Sequence, residues 1–128
     1  MAAKRRSYTD IGRKTRERLL GVESKSGRSA ASSLIPELAD ISDDANWGRI
    51  WSRPGLELRT RSLCVICTLL ALERYNYAYG HIRGARRIGI TKRQLTEAVT
   101  QLTFYAGLSV VHEGLALVDR AFKDKPLR

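Results

Sequence analysis

No apolar run in this sequence is long enough to cross a bilayer: the longest, CVICTLLAL at residues 64–72, falls far short of the ~20 residues a spanning helix needs. The first twenty residues are too charged for a secretory signal. Strand signals are nearly absent, and no repeat recurs at a fixed period. Histidine and cysteine number two each, and no second Cys or His pair stands at ligand spacing, which argues against a zinc site. Acidic residues are outnumbered by basic ones, 13 to 23. These shortages lead to the expectation of a soluble, cytoplasmic chain. Its 128 residues, 43% hydrophobic and 28% charged, suit one globular domain of ordinary composition.

What is present in excess is arginine, 17 of the 23 basic residues, within a net charge of +10. Clustered positive charge is the footprint of phosphate binding, which raises nucleic acid as a partner. Several arginines (Arg53, Arg59, Arg61, Arg83) instead stand beside Gly, Pro and apolar residues. Arginine's planar fork grips carboxylates as well as phosphates, so a small acidic substrate is an equally physical reading.

Helical spacing runs from end to end. Ser7 or Thr9 caps a first helix that reaches about Leu20 and stops at Gly21, after a disordered tail over residues 1–6. Residues 21–31 have loop composition. Leu34, Leu38, Ile41 and Ala45 then mark the apolar face of a second helix, capped by Ser32 or Ser33 with Pro36 in its first turn. It leads to a corner, WGRIWSRPGL. A third helix from about Glu57 to Arg74 is apolar all round in its middle, which predicts central burial. Tyr75 to Ile88 forms the next, closed by Gly89. Thr91 opens a fifth through the capping-box pattern Thr-Lys-Arg-Gln, ended by Gly107. The last runs from about Ser109 to Phe122, and residues 124–128 should fray. The expected fold is all-α, one domain of about six helices over residues 7–123. So apolar a central helix in so small a chain also suggests burial between subunits.

Several residue groups invite chemistry. Cys64 and Cys67 have CxxC spacing, but in an apolar helix they read better as buried packing residues than as a redox pair. His81 shares a helical face with Tyr77 and Ala85; it is either a proton-transfer group or a hydrogen-bonded interface histidine. His112 and Glu113 could reach the same pocket or form a solvated first-turn pair. Glu97, between apolar positions, is a general acid if partly buried, and otherwise pairs with Arg93 or lies at the surface. In WSRPGLELRTR, Trp51 offers a flat wall and Arg53, Arg59 and Arg61 a bidentate grip on carboxylates; a structural corner is the alternative.

WGRIWSRPGLELRTRSL, HIRGARRIGIT and QLTEAVTQLTFYAG, in that order and spacing, resemble the carboxymuconolactone decarboxylase family of the alkylhydroperoxidase-D-like superfamily. The resemblance spans nearly the whole chain. It implies an all-α fold assembled as a homo-oligomeric ring, trimer or hexamer, with sites near subunit contacts and neither cofactor nor metal. The implied reaction removes CO2 from a carboxylated lactone: a cation or hydrogen-bond donor stabilises the developing enolate, and an acid protonates carbon. By position, His81 matches the family histidine, and Trp51, Arg53, Arg59, Arg61, Glu97 and Tyr105 match recurrent family positions; the expected catalytic residues are His81, Glu97 and Arg59, with Trp51, Arg53, Arg61 and Tyr105, and Tyr77 and His112 where the chain departs from the family, around the substrate.

The chain also departs from the pattern. Asn76 and Tyr77 occupy places where these decarboxylases resemble one another in carrying acids, and Arg87 and Ile88 precede Gly89 where Asn is usual. Such changes reshape a pocket, which keeps a cyclase, isomerase or lyase acting on a polyketide-like or phenolic metabolite as the alternative. The CxxC of the peroxidase branch stands seven and four residues before its histidine, where this chain has Arg74 and Tyr77. A non-enzymatic or nucleic-acid-binding ring protein is the reading from a different class. No membrane partner is expected.

Overall fold

The structure, a computed structural model, describes residues 6–23 and 33–128. Every regular element among them is helical: α1 (Tyr8–Leu20), α2 (Glu37–Ile41), a wider π-helical segment (Ser42–Trp51), α3 (Leu58–Ala71), α4 (Tyr75–Arg87), α5 (Lys92–Thr100) and α6 (Leu108–Lys123). The fold is all-α, as the periodicity requires. The expected amino-terminal tail and the loop over 21–31 fall largely outside the described residues, as does Ser32. The chain sorts into two compact units, Met1–Leu56 and Glu57–Arg128.

In the first unit, α1 starts at Ser7, whose Oγ accepts the Asp10 N–H at 3.1 Å, and ends at Gly21 with φ 89°. α1 packs on the π segment backbone to backbone. A Cβ at Gly12 would stand 1.7 Å from the Asp43 carbonyl oxygen, and one at Gly48 would stand 2.2 Å from that of Tyr8. At this crossing Arg16 reaches Asp43, Nε to Oδ1 at 2.8 Å and Nη2 to Oδ2 at 3.1 Å, with both side chains buried. Gly12→Ala should therefore force the two helices apart and lower stability by about 1–3 kcal/mol, the usual cost of overpacking. A urea midpoint unchanged from wild type would contradict this.

The apolar stripe expected to be buried in this region is not. Leu34, Leu38, Ile41 and Ala45 are exposed, and the buried positions are Asp43, Trp47, Gly48 and Trp51. Of these only Ala45 lies in the π segment, where residues four and five apart share a face and Asp43, Trp47, Gly48 and Trp51 take the packed side; Leu34, Leu38 and Ile41 precede it. Trp47 and Trp51 stack with ring centroids 4.7 Å apart.

In the second unit, α3 buries Ser62, Ile66 and Leu70 against α4, α5 and α6. Central burial of the whole α3 run does not occur, because its neighbours cover only one side. Cys64 is exposed and Cys67 half-buried, which corrects the packing assignment for Cys64. Burial, then proximity to Cys64, pushes the Cys67 thiol up, away from a reactive thiolate. α4 turns Ala78, Ile82 and Ala85 inward and closes at Gly89, φ 91°. α5 ends at Thr100 rather than at Gly107. Residues 101–106 form tight turns in which Thr103 Oγ1 donates to the Thr100 carbonyl, so threonines draw the backbone out of the helix. Gly107 instead precedes α6, which buries Val110, Val111, Val118 and Ala121. The carboxyl-terminal residues expected to fray are held: Arg86 Nη1 donates to the carbonyls of Ala121 (3.0 Å) and Asp124 (2.9 Å), and Arg83 Nη2 to that of Lys125 (2.7 Å).

Candidate functional site

The second unit carries a hollow of about 500 Å³ lined by Glu57, Arg59, Thr60, Leu63, Ile90, Arg93, Gln94 and Glu97. Two local structures build it. The start of α3 supplies the first four residues, and there Thr60 Oγ1 donates to Glu57 Oε1 at 3.1 Å. The start of α5 supplies the last three, on a helix fixed by its capping box: Thr91 Oγ1 accepts the Gln94 N–H at 3.1 Å, and Gln94 Oε1 accepts the Thr91 N–H at 3.0 Å. Ile90 lies between, its chain direction set by the left-handed turn at Gly89.

Arg59 bridges the two. Its Nη2 donates to Gln94 Oε1 at 3.3 Å, and its Nη1 lies 3.5 Å from where a Cβ at Gly89 would stand. The guanidinium thus sits at the amino end of α5, where the helix dipole repels a cation. Capping does not explain a cation there, and an anionic ligand would offset its charge. With Arg93 the hollow holds two cations, and with Glu57 and Glu97 two carboxylates.

Of the residues expected at the site, the structure brings Arg59 and Glu97 together in this hollow. Glu97 is exposed rather than partly buried. Arg61, one helical step along α3, is half-buried and not part of the lining, nor are Tyr77 (69% exposed), Tyr105 (86% exposed) or the exposed His112 and Glu113. His112, on α6, is outside this lining, as is His81. Trp51 is buried and stacked on Trp47 in the first unit, which also holds the exposed Arg53. Arg93, Gln94, Glu57 and Thr60 are additions. The capping box marked Gln94 in the sequence, but as a helix start; its second hydrogen bond requires α3 to be in place.

His81 lies on α4, half-buried and outside the lining. Burial pushes its pKa from 6.5 down to about 4, so it is a neutral imidazole at pH 7. The unfolded chain takes up this proton first. Stability should be unaffected above pH 6.5 and should fall as pH drops below it, by about 3 kcal/mol at pH 4. Urea titrations at several pH values should show this acid limb, and His81→Gln should remove it.

Among the described residues no group of three or more His, Cys, Asp or Glu is placed to hold a metal ion, and no helix is long and apolar enough to cross a membrane. Residues 36–120, more than half the chain, match the model of the carboxymuconolactone decarboxylase family. The chain is 41% identical over 78 residues to a 4-carboxymuconolactone decarboxylase of Acinetobacter baylyi, covering 61% of this chain and 58% of that protein. It is 30% identical over 121 residues to a nitrosuccinic acid decarboxylase of Metarhizium robertsii, covering 93% of this chain and 84% of that one. It thus spans little more than half the length of the bacterial relative and most of the fungal one. By this match, which takes in α2 to α6 and the whole lining of the hollow, the chain belongs to the carboxymuconolactone decarboxylase family.

Proposed function

We propose that the chain is a carboxy-lyase that removes CO2 from a small carboxylated substrate without a cofactor. The observation that carries this reading is Arg59, half-buried and held beside a second arginine in a hollow of about 500 Å³. When the C–C bond to the departing carboxylate breaks, its electron pair moves into the substrate and comes to rest on a carbonyl or equivalent oxygen. A fixed guanidinium stabilises that charge, and Arg93 is near enough along the lining to hold a remaining carboxylate. A proton must then reach the carbon that lost CO2.

His81 stands outside the lining of the hollow and is assigned the proton transfer on the family resemblance alone; its neutral state at pH 7 constrains how it would work. A neutral imidazole is a poor acid. An anionic substrate beside it would raise its pKa, so the proton is taken up with the substrate and then delivered. The other expected substrate contacts, Trp51, Arg53, Arg61, Tyr77, Tyr105 and His112, lie outside the lining of this hollow and rest on the sequence reading and the family resemblance alone; Glu97, within it, is a proposed acid–base partner.

The named activities of the two relatives support carboxylated substrates of this size, a lactone in one case and a nitro-substituted diacid in the other. Exposed apolar side chains in one segment, Phe104 (96%), Tyr105 (86%) and Leu108 (58%), support assembly into a homo-oligomer, a trimer or hexamer that solution sizing would count.

The test is CO2 release from 4-carboxymuconolactone and from nitrosuccinate by the purified protein, with His81→Gln alongside. Release from either, lost by about 10²-fold or more in the variant, is the expected result. No release from either, with turnover of a phenolic or polyketide-like substrate instead, would replace the decarboxylase by a cyclase or isomerase. Full activity of His81→Gln would remove His81 from the scheme.

A further inference from the structure

We propose that Gln94 is a positioning residue that fixes the orientation of Arg59 without neutralising it. Its value to catalysis rests on the reading of Arg59 above; the contact itself does not. One amide oxygen serves two donors, the Thr91 N–H at 3.0 Å and Arg59 Nη2 at 3.3 Å, which uses the two lone pairs a carbonyl offers. The Gln94 backbone N–H is tied to Thr91 Oγ1 at 3.1 Å, so the side chain that holds Arg59 is itself restrained at both ends. Because the guanidinium is a rigid plane, fixing Nη2 fixes the direction of its other N–H groups. Nη1 points toward Gly89, where the missing side chain leaves that edge uncovered.

The choice of amide is the informative part. A capping box accepts glutamate or glutamine at this position equally well. Glutamate would hold Arg59 through an ion pair and cancel its charge. Glutamine holds it and leaves the charge for a ligand. The ion pairs of the described residues do not include Arg59. Gln94 therefore sets the affinity of the hollow for anions as well as its geometry.

The experiment compares three variants by two readouts: the nitrogen-15 signal of the Arg59 side chain, assigned by its loss in Arg59→Lys, and binding of succinate as a dicarboxylate probe. Gln94→Leu should release the guanidinium to rotate freely and weaken succinate about fivefold, the loss of one pre-ordered side chain. Thr91→Ala removes the restraint on the Gln94 backbone but keeps the Gln94–Arg59 hydrogen bond, and should change both readouts by less than Gln94→Leu does. Gln94→Glu keeps the cap and the thermal midpoint but should weaken succinate about tenfold by pairing with Arg59. An Arg59 signal unmoved in Gln94→Leu, or moved as far by Thr91→Ala, would overturn the proposal. If Gln94→Leu does not fold, succinate binding equal to wild type in Gln94→Glu overturns it. Failure of the wild-type protein to bind succinate would count against the carboxylate-binding role of Arg59, while the nitrogen signal still decides the role of Gln94.

Discussion

Asp43→Ala should destabilise the first unit by about 3–5 kcal/mol, the cost of leaving a buried guanidinium without its carboxylate. Arg16 and Asp43 form a two-bond fork at 2.8 and 3.1 Å where α1 crosses the π segment, and neither side chain reaches solvent appreciably. A loss of that size is a large part of the 5–15 kcal/mol by which domains are usually stable. The chain's two tryptophans, Trp47 and Trp51, lie in this unit, so their fluorescence reports its unfolding directly. The tryptophan-detected urea midpoint should fall sharply in Asp43→Ala, and the paired change Arg16→Met with Asp43→Leu should recover most of it. A midpoint equal to wild type in the single variant would show that the fork contributes nothing.

The second large effect is on turnover. Arg59→Ala should lower kcat/KM on whichever carboxylate the protein decarboxylates by about 10²–10³-fold, the usual consequence of losing one fixed donor to a developing negative charge. Stability should change little, because Arg59 is half-buried and makes its hydrogen bond to a side chain that keeps its other partner. Arg59→Lys should recover only part of the activity: an ammonium restores the charge but not the planar fork that Gln94 holds. Unchanged kcat/KM in Arg59→Ala would move the chemistry out of this hollow.

Much of this was legible along the chain. Ser7, Gly21, Gly89 and the Thr91–Gln94 box announce their helix ends because each acts within one turn, and local chemistry suffices to read it. The π segment was not legible. Its consequence, turning Asp43 and Trp47 inward and Ala45 outward, depends on how α1 packs, and α1 is distant in sequence. The site shows the same division. Arg59 and Glu97 stand out by residue type and motif, whereas Arg93 and Gln94 join them only once α3 and α5 meet. Arg83 illustrates the opposite case: in the sequence it stands among the arginines suited to an acidic ligand, and at least part of its hydrogen bonding goes to the Lys125 carbonyl just past α6.

The hollow is also cheap to assemble. Arg59 and Gln94 are 35 residues apart and belong to the same compact unit, and the chain between them is taken up largely by the rest of α3 and by α4. Closure entropy grows only slowly with loop length, so holding the cation from α5 adds little to the cost of folding this unit.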